Sequence, residues 1–252
     1  MDIPWRDAIY HDLVTYPWPV IYEYSDTMLT YYLAYWLPAA GISWLCGLGI
    51  WGSHVILFIW TYLGLGLIFL LLCEYLQPLR KQVLLVCMIF LLWSGLNLFG
   101  MLLRSLFSAE AFRIDDNPGF LSWLYSAHSY DGYFIGYFLR TTFDSVANVY
   151  NQYIPVALVT LLFLQLRHMY GIYAFLGLLA LPYSPLGFAG VAFLMLGDGV
   201  NQTIHDIRQK QSLVWQLGKE YASLENLLPS VTILPIFYFY FMMNFMSQRA
   251  VD

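Results

Sequence analysis

The chain has 252 residues, of which 60% are hydrophobic, 19% aromatic and only 11% charged, with a net charge of −5. Soluble domains carry about 25% charged residues, so composition argues against a soluble enzyme and for an all-α polytopic membrane protein with about five to seven membrane segments. No basic tract points to nucleic acid.

In chain order, residues 1–28 read as a polar, aromatic loop on the membrane surface. It holds Asp2, Asp7, His11, Asp12, Glu23 and Asp26 among Trp, Tyr and Pro. Ionisable groups beside a span are costly without a use, though an aromatic belt with solvated charges fits the same composition. Ala8 to Val14 predicts a short helical turn with Asp7 at its N-cap. Tyr16-Pro17 and Trp18-Pro19 end it, because proline disfavours helix at the preceding residue. These first residues lack a basic start and an apolar run, so no signal peptide is expected.

Residues 29–103 predict membrane helices. Leu29 to Leu48 is about the ~20 residues a span needs, with Pro38 as a kink. His54 to Tyr75 and Val83 to Leu103 are further spans, separated by QPLRKQ (77–82). Asn97, in the third, reads as a hydrogen-bonding partner for a neighbouring helix. Residues 104–152 form a long external loop, rich in aromatics, with Arg113, Asp115, Asp116, His128, Asp131, Arg140 and Asp144. Loops of this length usually carry function.

Residues 153–196 return to membrane helices with a break at LPYSPLG (181–187). Two prolines three residues apart do not fit a regular helix, so a re-entrant pair of half-length helices is expected, with one kinked span as the alternative. Residues 197–226 predict an amphipathic interfacial segment, and 227–252 a final span and tail. Lys and Arg in short loops favour the cytoplasm, which puts Arg80, Lys81 and Arg167 inside and the 104–152 loop outside. The N-terminus falls inside if Leu29 to Leu48 spans, and outside if that segment is re-entrant or interfacial.

Few chemistries fit the polar residues. His11, His54, His128, His168 and His205 are isolated, and Cys46, Cys73 and Cys87 have neither disulfide nor metal spacing, so no metal or cofactor is expected. P-loop, dinucleotide-binding and nucleophile-elbow motifs are absent from the sequence. Carboxylate chemistry remains. His11 and Asp12 lie four and five residues after Asp7, within about one to one and a half helical turns. A carboxylate on a partly desolvated surface suits a general base.

The strings DIPWRDAIYHDLVTYPWPVIY (2–22) and LTYYLAYWLPAA (29–40) resemble the opening of bacterial multi-pass glycosyltransferases of the GT-C type. SGLNLFG (94–100), VANVYNQYIPVALVTLLFL (146–164) and LPYSPLGFAGVAFLML (181–196) are similar to that group as well. The resemblance implies transfer of a sugar from a polyprenyl-phosphate-linked donor to a cell-envelope acceptor. It also implies that an acidic residue of the first loop, here Asp2, Asp7 or Asp12, is the catalytic base. Substrate-binding roles then go to His11 and to Arg6, Arg113 and Arg140, whose guanidinium forks suit a donor phosphate. GT-C chains begin with a span before that loop and continue for several more, so the resemblance implies the N-terminal portion of a larger protein. Two other functions stay open: a non-catalytic membrane subunit docked to further subunits, and a transporter built on the broken helix at Pro182 and Pro185.

Overall fold

A computed structural model describes residues 3–24, 27–92, 113–114, 117–118, 142–167, 169–208 and 222–233, together with 235 and 238. Among the described residues the fold is all-α with two very short hairpins, and the chain divides into two compact units, residues 1–75 with 151–252 and residues 76–150.

The first unit opens on α1 (Ile3–Thr15). Pro4 sits in its first turn, where a missing N–H costs nothing. Arg6, Ile9, Tyr10 and Leu13, at helical spacing, form its buried stripe. They face α2 (Leu37–Leu45), whose own buried stripe begins with Trp36 and continues through Ala39, Ala40 and Ser43. The helix that composition predicts only from Ala8 therefore starts five residues earlier, and Asp7 lies inside it rather than capping it. After Thr15 the Trp18 indole donates to the Leu13 carbonyl at 2.7 Å, satisfying one C-terminal acceptor of α1. Trp18-Pro19 is cis. Strands β1 (Ile21–Tyr22) and β2 (Thr27–Met28) then pair antiparallel, Ile21 with Met28 and Tyr22 with Thr27.

The expected span Leu29 to Leu48 is not one helix. A 3₁₀ turn at Leu33–Tyr35 precedes α2, which has nine residues and stops at a left-handed Gly47. There Gly47 N–H donates to the Trp44 carbonyl and Leu48 N–H to the Ser43 carbonyl, the paired bonds of a Schellman cap. By contrast, α3 (Ile50–Leu76) matches the expected second span and extends it by four residues at its start. Among the described residues it is the one helix long and apolar enough to cross a membrane.

Helix α5 (Thr142–Gln165) begins ten residues before the expected end of the external loop, with non-helical backbone at Val149 and Pro155 inside it. From Asn151 onward it belongs to the first unit. A Cβ placed on Gly64 would lie 2.7 Å from Ile154 Cγ2, and Gln165 donates to the Leu71 carbonyl at 3.2 Å. The two contacts advance together, so α3 and this part of α5 run parallel.

Helices α6 (Tyr173–Ala180) and α7 (Pro185–Arg208) flank the break expected at 181–187. Ser184 Oγ accepts from Gly187 N–H at 3.0 Å and Pro185 takes the first helical position, so the same residues that end one helix start the next. The second arm is not half-length, however: α7 runs on through the polar residues 197–208 assigned to an interfacial segment. Val159, Phe163, Tyr173, Leu176, Val191 and Met195 form the core that joins α5, α6 and α7. A helix at 224–233, α8, is capped by Ser223, whose Oγ accepts from Asn226 N–H.

A Cβ at Gly187 would lie 2.4 Å from Val156 Cγ2, a stiff β-branched neighbour. Gly187→Ala is expected to destabilise by about 1–3 kcal/mol through overpacking. Thermal unfolding in detergent measures this, and adding Val156→Ala restores most of the loss.

The second unit holds a 3₁₀ turn at Arg80–Gln82, α4 (Val83–Leu92) and a pairing of β3 (Arg113–Ile114) with β4 (Asn117–Pro118), before the first turns of α5. Asn97, the rest of the third expected span and most of the 104–152 loop lie outside the described residues.

Candidate active site

Helix α1 carries the candidate residues on its edge beside the buried stripe. Asp7 Oδ1 lies 2.6 Å from His54 Nε2, and His54 Nδ1 lies 2.8 Å from the Ile50 carbonyl. Each ring nitrogen of His54 therefore faces an acceptor, and either tautomer can donate to one of them. The Tyr10 ring meets His54 edge-on at 5.5 Å, and its hydroxyl donates to the Ser53 carbonyl at 2.7 Å. Burial raises the Tyr10 phenol above its ordinary value. Together these contacts tie α1 to the first turn of α3.

Asp12 is placed differently. Its Oδ2 accepts from the Tyr22 hydroxyl at 2.5 Å, and its Oδ1 lies 3.5 Å from His11 Nδ1. Burial pushes the Tyr22 phenol up first, and the Asp12 carboxylate pushes it further, so the hydroxyl remains a donor across the ordinary pH range. One carboxylate oxygen is held by a strong charge-assisted bond. The other, at hydrogen-bonding limit from His11, keeps acceptor capacity.

A cavity of about 530 Å³ opens against Leu13, the residue after Asp12. Leu13, Trp18 and Val20 wall it on one side, Tyr31 and Leu37 on another, and Leu181, Pro182 and Pro185 of the break on a third. None of its described lining residues is charged. The volume lies inside the ~300–1,000 Å³ range of ligand pockets.

Of the expected site residues, Asp7, His11 and Asp12 sit together on α1, and Arg6 lies on the buried stripe at 5% exposure. Asp2 and Arg140 lie outside the described residues, as does the side chain of Arg113. His54 and Tyr22 were not singled out from sequence. His54 heads an apolar run, a hint of polar business at a helix start, whereas nothing in the sequence ties Tyr22 to Asp12. Among the described residues no group of three His, Cys, Asp or Glu side chains is gathered for a metal. No protein-family model, curated protein or solved structure matches the chain.

Proposed function

We propose that the chain is a polytopic integral membrane glycosyltransferase, or its N-terminal portion, that moves a sugar from a lipid-linked donor to a cell-envelope acceptor. The observation that carries this reading is the uncharged cavity walled in part by Leu13, the residue after Asp12: an apolar chain fits such a lining. In the proposed step the acceptor hydroxyl attacks the anomeric carbon of the sugar, the carbon–oxygen bond to the lipid phosphate breaks, and Asp12 takes the hydroxyl proton. The lipid phosphate leaves with the bonding pair. Arg6, on the buried stripe of α1, supports the contact between α1 and α2. A transporter has one observation in its favour, since the break at Pro182 and Pro185 walls the same cavity. A membrane subunit without catalysis remains the third reading.

The test is transfer from radiolabelled polyprenyl-phosphate sugars in membranes holding the chain, compared with Ala34→Trp, which fills the cavity from its wall. Binding of the donor and transfer are both expected to fall more than about tenfold in the variant. Donor binding without transfer points to a subunit, movement of donor between leaflets without transfer to a transporter, and no donor binding sinks the lipid-handling reading.

A further inference from the structure

Polar groups along α3 fall in two layers. The first is at its start, where His54 meets Asp7 and Tyr10 reaches the Ser53 carbonyl. The second is near its end, where Gln165 reaches the Leu71 carbonyl and the Glu74 carboxylate; two residues on, Arg167 pairs with Asp198, which also takes the Tyr173 hydroxyl at 2.7 Å. From Val55 to Cys73 the helix contains no Asp, Glu, Lys, Arg or His. At 1.5 Å per residue, His54 and Glu74 are about 30 Å apart along the axis, which is the thickness of a bilayer hydrocarbon core. The most apolar window between them is only 11% buried.

Tryptophans mark the first layer. Trp5 on α1, Trp44 on α2 and Trp51 in the first turn of α3 are 64%, 63% and 89% exposed. Indole rings of this kind favour the headgroup level, where one edge is apolar and the other wet. Tyr35, from the segment that walls the cavity, bonds Thr61 Oγ1 at 3.1 Å. Thr61 lies about 10 Å further along α3 than His54.

We propose that α1, α2 and the first turn of α3 form an aromatic girdle seated in the headgroup layer of a lipid bilayer. Asp7 and Asp12 then work at headgroup depth, and the apolar cavity opens beneath them in the hydrocarbon. The matched layer spacing favours lipid over a second copy of the chain as the cover of α3, because a protein partner imposes no 30 Å interval between polar levels. The proposal rests on the membrane reading above but not on the transfer chemistry.

The test is spin-label depth in phosphatidylcholine–phosphatidylglycerol vesicles. In a background with Cys46, Cys73 and Cys87 changed to Ser, labels go to Trp5→Cys, Trp44→Cys, Trp51→Cys and Trp60→Cys. Oxygen and a water-soluble nickel chelate are compared as relaxing agents. The first three labels are expected at one shared headgroup depth, and the label at Trp60 about 14 Å deeper, relaxed far more by oxygen. Labels at Trp5 and Trp44 relaxed as freely by nickel as in water would overturn the proposal. So would broadening at Trp60 that disappears on dilution with unlabelled chain, which identifies a second copy on α3. Should a variant misfold, the unaltered chain serves: bromines placed near the headgroup end of the acyl chains must quench its tryptophans more than bromines at the methyl end. Loss of sugar transfer in other assays leaves all of these outcomes unchanged.

Discussion

On the proposed transfer chemistry, Asp12→Asn is expected to lower sugar transfer by about 10²–10⁴-fold, the range for losing a general base, while insertion and folding stay normal. The amide keeps the volume and still accepts from Tyr22, so the hairpin at Ile21–Met28 has no cause to move. What it loses is the capacity to take a proton. Asp7→Asn is the matched control. Asp7 is engaged by the His54 ring and is largely exposed, so it serves to attach α1, and an exposed pair of this kind adds little stability. Its variant is expected to keep transfer within about tenfold and to raise amide exchange in α1. The measurement is initial transfer rate at saturating donor, normalised to inserted protein. Equal loss in both variants would mean that the two carboxylates act as a unit; loss in Asp7→Asn alone would move the base to Asp7.

Asn226→Ala is expected to destabilise the first unit by about 2–4 kcal/mol, from two buried backbone groups losing their partner. The Asn226 side chain is 5% exposed and works in both directions. Its Oδ1 accepts from Ala174 N–H at 2.8 Å, one of the orphan donors at the start of α6, and its Nδ2 donates to the Tyr170 carbonyl at 2.9 Å. Ser223 adds a bond from its hydroxyl to the Gly171 carbonyl while it caps α8. The start of α8 therefore holds the start of α6, fifty residues earlier. Thermal unfolding in detergent reads the loss.

Several elements were legible without tertiary information. The unbroken apolar run of α3, the stop at Pro78 and the interruption at Pro182 and Pro185 follow from covalent and solvation rules that act within a few residues. The stripe Arg6, Ile9, Tyr10 and Leu13 was also present as a helical period, but two of its four members, Arg6 and Tyr10, are polar or amphipathic, so composition read that stretch as a loop. Leu29 to Leu48 misled in the opposite sense. Its hydropathy suits a span, yet Pro38 and the left-handed Gly47 confine the helix to nine residues, and hydropathy averages over such local stops.

By itself, then, the sequence determined the all-α character, the strongest apolar helix and the place where a later helix breaks, because each depends on the residues at that place. Tertiary structure alone decided which polar groups meet. Asp7 and His54 are separated by 47 residues, Asn226 and Ala174 by 52, and Tyr22 reaches Asp12 only because residues 16–20 turn the chain back after α1. Such pairings are set by the packing of α1 on α2 and of α6 on α8. That packing is a cooperative choice among many apolar faces of similar energy, which no single stretch of sequence encodes.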